Sequence, residues 1–327
     1  MRENMKHKRI LSLAAVFVVA GSLLTQAVFA QESGNGFQIS PVRTELTIEP
    51  GGSEKTTVTA MNPTSGAIKA NVVVNDFEAA TDETGQPKVI FQSDQTAPGN
   101  SFKSLVGDLG TVDIPAGGSV NIPVVVTVPE GASPGGYYGA VRLEPTVETD
   151  KNVNLTASVG TLYLVTVPGD LNEALELVEF TAAKNGSTGR FFIGGGENIQ
   201  IVTRLKNTGN IHVKPFGRIQ ITDYKGNTVE QYEFNNTEPK SNVLPNSTRK
   251  FTDEVNYSNF FGKYTITANL GYSSAGNLIT AKNTFWVVPV WLVVVLAAAL
   301  LVVLVGAFLL YRKLRQSRKH KVNPRRK

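Results

Sequence analysis

The sequence predicts an all-β protein: two tandem immunoglobulin-like β-sandwich domains followed by one C-terminal transmembrane helix. Three observations carry this reading. Apolar and polar residues alternate with period two from Phe37 to Val288, punctuated by turn residues at short intervals. A charge-free apolar stretch runs from Phe285 to Tyr311 and is followed at once by bases. Only 18% of the 327 residues are charged and 30 are Gly, a composition unlike a helical bundle or coiled coil.

Residues 1–30 are expected to form a secretory signal peptide. Arg2, Lys6, Lys8 and Arg9 precede the apolar run Ile10–Leu24, and Val28-Phe29-Ala30 supplies the small residues of a cleavage site. The first β-sandwich domain is expected over residues 36–168. Its clearest strands are Ile68-Ala70-Val72-Val74, with Lys69 and Asn71 opposite, and Val120-Ile122-Val124-Val126-Val128. Pro50-Gly51-Gly52, Asn62-Pro63, Ala116-Gly117-Gly118 and Pro134-Gly135-Gly136 mark the turns, and Thr161–Val167 gives the last strand. Residues 170–178 serve as linker or first strand of a second β-sandwich domain at 170–284. Ile199-Ile201-Thr203-Leu205 and Tyr264-Ile266-Ala268-Leu270 are its cleanest alternations.

The transmembrane helix is placed at residues 286–311. At ~1.5 Å per residue this length exceeds the ~30 Å hydrocarbon core. Trp286, Trp291 and Tyr311 stand near its ends, as interfacial aromatics do. Nine bases fall within 312–327, a basic cytoplasmic tail by the positive-inside rule, whereas Lys282 alone lies close on the other side. Between the two basic ends, residues 31–311 hold 19 bases and 26 acids, a net charge of −7, so the basic pI points to a membrane and not to nucleic acid. No LPxTG-like pentapeptide precedes the span, which therefore reads as a permanent single-pass anchor in the cell membrane. The N-terminal ectodomain is expected outside and the C-terminus in the cytoplasm.

Catalytic chemistry finds little material. There is no Cys, so disulfides, thiolate nucleophiles and thiolate metal sites are excluded. His212 is the only His between the two terminal segments, and alternation in Asn210-Ile211-His212-Val213-Lys214 turns it outward as a solvated residue. No GxSxG elbow accompanies it, and Gly194-Gly195-Gly196 lacks the Lys-Ser/Thr of a phosphate loop. The acidic pairs Asp82-Glu83 and Asp253-Glu254 read as exposed turn charges. No catalytic residue, cofactor or metal site is assigned. Adjacent aromatics at Tyr137-Tyr138, Phe191-Phe192 and Phe260-Phe261 point instead to recognition, since in a strand one of each pair faces out. Alternation groups Tyr138 with Arg142 on the outward face, and these two are the candidate ligand-binding residues.

Several motifs resemble a known family. Ile39-Ser40-Pro41, Glu49-Pro50-Gly51-Gly52, Val58-Thr59-Ala60-Met61-Asn62-Pro63, Asn75-Asp76-Phe77-Glu78-Ala79 and Pro134-Gly135-Gly136-Tyr137-Tyr138-Gly139-Ala140-Val141 are similar to the first domain of bacterial WxL-interacting cell-surface proteins. Asn207-Thr208-Gly209-Asn210, Leu244-Pro245-Asn246-Ser247 and Gly262-Lys263-Tyr264 resemble, less specifically, the second. The resemblance implies peptidoglycan contact through the first domain and contact with other surface proteins through the second. Fimbrial chaperones have similar β-domain patterns, but they are soluble and this chain reads as anchored. The expected function is a membrane-anchored surface binding protein, not an enzyme. The alternative is a membrane-anchored carbohydrate-active enzyme or accessory subunit.

Overall fold

Strand after strand follows the period-two pattern. In Ser119–Thr127, Ile122, Val124 and Val126 are buried on one face, while Asn121, Pro123, Val125 and Thr127 are exposed on the other. A computed structural model of the protein describes residues 38–92, 94–146, 159–273 and 275–320. The signal peptide expected at residues 1–30, and residues 321–327 of the basic tail, lie outside the described residues.

The first β unit comprises β1 (Gln38–Ser40), β2 (Arg43–Thr47), β3 (Ser53–Met61), β4 (Ile68–Ala79), β5 (Pro87–Val89), β6 (Thr111–Ile114), β7 (Ser119–Thr127), β8 (Gly135–Pro145) and β9 (Val159–Val167). One sheet has the order β1-β3-β7, and the other β2-β9-β8-β4-β5 with β6 also on β4. Their inner faces meet in a core that includes Val58, Val124, Val72, Val141, Leu143 and Tyr163. In the tight turn before β3, Gly51 adopts φ +80, a left-handed conformation suited to Gly, and its N–H donates to Val128 O. Gly139 serves differently: a Cβ there would overlap the ring of Phe102, which is fully buried and stacks on Tyr163.

The second unit repeats this plan. It comprises β10 (Leu175–Lys184), β11 (Ser187–Gly189), β12 (Phe191–Ile193), β13 (Ile199–Asn207), β14 (Phe216–Asp223), β15 (Thr228–Phe234), β16 (Thr248–Glu254), β17 (Gly262–Gly271) and β18 (Leu278–Val288). The sheets run β11-β10-β13-β16 and β12-β18-β17-β14-β15. In each unit a short strand pairs parallel with the last one, β2 with β9 and β12 with β18. Ile201, Leu205, Ile219, Ile221, Ile266 and Phe285 form the second core. Each unit also closes an inner strand of its smaller sheet, β3 or β13, with a buried Asn. Asn62 Nδ2 donates to Gly66 O (2.7 Å) and Asn207 Nδ2 to Ile211 O and Val243 O (both 2.8 Å). Their side-chain oxygens accept the N–H of Thr64 and Gly209, so each Asn replaces the sheet's lost backbone partners.

The apolar segment forms the helix α1 (Val290–His320). It starts later and runs longer than the predicted 286–311. Trp286–Val288 belong to β18, held by β12 on one side and β17 on the other. Pro289, which has no N–H for the sheet, separates strand from helix and accepts the first helical bonds from Leu292 N and Val293 N. Beyond Tyr311 no Gly or Pro interrupts the basic segment before Asn323-Pro324, and the helix continues. Val290–Arg315 is long and apolar enough to span a membrane, and none of its most apolar window is buried against the described protein.

A candidate binding cleft between the two β units

Tyr138 lies on β8 among Phe77 and Leu164, a small apolar cluster separate from both cores. Its hydroxyl accepts the backbone N–H of His212 at 2.8 Å and lies 3.3 Å from the imidazole Nδ1, with the rings edge to face. Nearby, Gly136 N–H donates to Asn210 O at 3.0 Å, and Lys214 pairs with Glu45 on β2. Tyr138 therefore pins one unit to the other. Burial pushes its hydroxyl well above the ordinary phenol range. Burial likewise lowers the His212 imidazole to about 4, outweighing the nearby Glu45 carboxylate, so the ring is neutral near neutral pH.

A second clamp comes from the β4–β5 hairpin. Glu83, at its tip with φ +61, receives Arg204 Nε (2.7 Å) and Nη2 (2.5 Å) in a bidentate pair. Lys250 N–H on β16 donates to Glu83 O at 2.8 Å, so the tip also caps a strand of the second unit. The Arg204 hydrogen bonds hold the Glu83 carboxyl below its ordinary range.

These clamps leave a cleft of about 640 Å³ between the units. One wall is the 97–100 loop with Pro134, and the other is the 244–247 loop with Asn210; Phe77 and Tyr138 also line it. The first wall is organised by Asp76, whose buried carboxylate accepts Ala97 N–H (2.9 Å) and Lys103 N–H (2.8 Å). The second is organised by Asn207, through its bonds to the Ile211 and Val243 carbonyls. Glu78 is the only ionisable carboxylate in the lining, and its partner is Lys88 at 2.7 Å. Among the described residues no group of three or more His, Asp or Glu could hold a metal ion.

The two residues singled out in the sequence do share one face of β8, but that face is covered. Tyr138 is 9% exposed because the second unit packs on it. Arg142 is 6% exposed: its Nε donates to Asn75 Oδ1 (2.9 Å), its Nη2 pairs with Glu144 (2.5 Å), and Phe91 lies over it at 4.6 Å. The expectation that both point into solvent is corrected on these grounds. Tyr138 still lines the cleft, whereas Arg142 does not. Alternation serves the Phe pairs better, with Phe191 and Phe261 exposed and Phe192 and Phe260 buried. His212 is half-buried against Tyr138 rather than solvated, Glu83 is engaged by Arg204, and Asp253 lies within β16 and not in a turn. Burial raises the Asp253 carboxyl to about 6, against the lowering effect of the Tyr232 hydroxyl. No local motif signals Glu83 or Arg204, because the partners are 121 residues apart.

No family model matches the chain, and no curated protein matches it. Solved structures do. A chain of a chaperone–tip adhesin complex of CFA/I fimbriae biogenesis is 14% identical, covering 76% of this chain and 98% of that one, with TM-score 0.37. The class 5 fimbriae chaperone CfaA is 15% identical over 76% of this chain and 99% of its own, with TM-score 0.35. The E. coli chaperone DraB is 13% identical over 75% and 98%, with TM-score 0.34. Likenesses this distant carry no argument about what this chain binds. They do correct the family resemblance: the structures named above are of fimbrial chaperones, not of WxL-interacting surface proteins. The motifs behind that resemblance are devices of the fold. Asn62 staples a loop, Asp76 holds the cleft wall, and Gly139 makes room for Phe102. The peptidoglycan contact was drawn from that resemblance and has no other support.

Proposed function

We propose that the protein is a membrane-anchored, non-catalytic binding protein whose β units lie outside the cytoplasm and seat a protein partner in the cleft between them. The observation that carries this reading is the cleft lining. It combines rigid apolar surface from Pro98, Pro134, Pro245 and Leu244 with amide groups of Asn100, Asn210 and Asn246. That mixture suits a polypeptide, which offers apolar side chains and a backbone to hydrogen-bond. A carbohydrate-active enzyme needs two carboxylates about the scissile bond, and the cleft provides one. A wall polymer would be held by exposed aromatic faces, whereas Phe77 and Tyr138 are buried at their contact with one another. The strand order, with a short strand parallel to the last in each unit, supports the immunoglobulin-like reading of both. The bases that follow Leu310 support a cytoplasmic C-terminus.

The test offers the full chain, held in vesicles, either surface proteins extracted from the parent cell or purified wall polymer. Retention of protein, abolished by Ser247→Trp in the cleft wall, is the expected result. Retention of polymer alone, or release of sugar from it, would overturn the reading.

A further inference from the structure

Strand β18 ends at Val288 and α1 begins at Val290, so a single residue separates the second unit from the apolar span. Whatever surrounds that junction is held within a few ångströms of the point where the span begins. The short strand β12 runs parallel to Trp286–Val288, residue for residue. It is tied there by Trp286 N–H to Arg190 O (2.7 Å) and Gly194 N–H to Val288 O (3.0 Å).

The side chains at this end are aromatic and exposed. Phe191 is 72% exposed and stacks on Trp286, itself 40% exposed, at 6.2 Å with rings 11° from parallel. Phe261 is 51% exposed and stacks on Trp291, in the first turn of α1, at 6.4 Å and 2°. Ile193 is exposed beside them. These include both tryptophans of the chain. Exposed Arg190 precedes the strand, exposed Lys263 faces Trp286 across β17–β18, and Lys184 bonds the carbonyls of Ile193 and Gly195; Glu197, beside Gly195, is the acid among them.

We propose that this end of the second unit docks on the lipid bilayer, with Phe191, Ile193, Phe261 and Trp286 seated in the interfacial layer and the nearby bases among lipid phosphates. The inference rests on the reading of α1 as a membrane span, and it adds that the unit sits on the membrane instead of standing off it. Trp286, with its indole N–H, favours the headgroup level; Phe191, Ile193 and Phe261 gain by burial at the boundary with the acyl chains, and bases gain from anionic lipid. Continuity with the span chooses lipid over another protein as the occupant. A span starting one residue beyond the strand brings the patch to the surface with no linker to hold it away. The Phe261–Trp291 stack joins the unit to the helix itself.

The full chain is reconstituted in vesicles of phosphatidylcholine and phosphatidylglycerol carrying a quencher at the headgroup level. Trp291→Phe leaves Trp286 as the sole emitter, and Trp286→Phe leaves Trp291. Docking predicts blue-shifted emission and quenching for both, with Trp286 losing both in a Phe191→Ser/Phe261→Ser background. If Trp291 is quenched while Trp286 emits as in water, the unit stands off and the proposal fails. If neither is quenched, the membrane-span reading itself fails. Trp286 is read in the Trp291→Phe chain, where Phe191, Ile193, Phe261 and Trp286 are all in place, so the proposal stands or falls on that reading however the serine variants fold.

Discussion

Glu83 sits at a hairpin tip and meets a guanidinium contributed by the other β unit. Both side chains are about one-third exposed, so the pair is worth about 1 kcal/mol and not the larger value of a dry ion pair. A double-mutant cycle on Glu83→Ala and Arg204→Ala should return about that coupling in denaturant melts. The more exposed Lys88–Glu78 pair should return close to zero. His212 and Asp253 give the residue scale its pH dependence, with opposite signs. His212 has a folded-state value of about 4, below its usual 6.5, because burial favours the neutral ring. Its contribution is full above pH 6.5 and is lost as pH falls through about 4. Asp253 is raised from 3.8 to about 6, so its contribution is present below 3.8 and lost as pH rises through about 6. Relative to the parent, His212→Gln should therefore lose less stability between pH 6.5 and 4. Asp253→Asn should gain on the parent as pH rises from 3.8 to about 6. Thermal melts across that window check both signs.

The elements were legible because alternation reports burial directly. Tyr264, Ile266, Ala268 and Leu270 are all buried on β17, as their period-two pattern predicts. Ile266→Ala should cost ~2–5 kcal/mol, while Thr267→Ala on the other face should change little. Equal small effects would place Ile266 outside the core. Gly139 tests close approach rather than alternation. A methyl there would overlap Phe102, so Gly139→Ala should destabilise by ~1–3 kcal/mol. Gly107→Ala, with open space around it, should be nearly neutral. Alternation could not report what covers an outward face. It grouped Tyr138 with Arg142 correctly, yet it carried no information that the second unit would bury one and Phe91 overlie the other. Nor could hydropathy separate Trp286–Val288 from the helix, since this strand end and a span are equally apolar; Pro289 is where the backbone changes state.

At the scale of the whole molecule, the two units share a strand plan and an Asn staple, but the proposed function rests on what lies between them. The apolar Tyr138 cluster, the Lys214–Glu45 pair and the Glu83–Arg204 clamp bring together segments far apart in sequence. That junction is the part of the candidate site invisible to local pattern, because no residue in it is unusual until its partner is placed beside it. The same clamps hold open the cleft proposed to seat a protein. The most direct test replaces Glu78, within the cleft, with a photo-crosslinking residue in the full chain in living cells, and does the same at Asn121 on the exposed face of β7. A discrete protein adduct from position 78 and none from 121 is the predicted result. Equal adducts from both positions, or none from position 78 while the chain is folded and anchored, would contradict a partner site between the units.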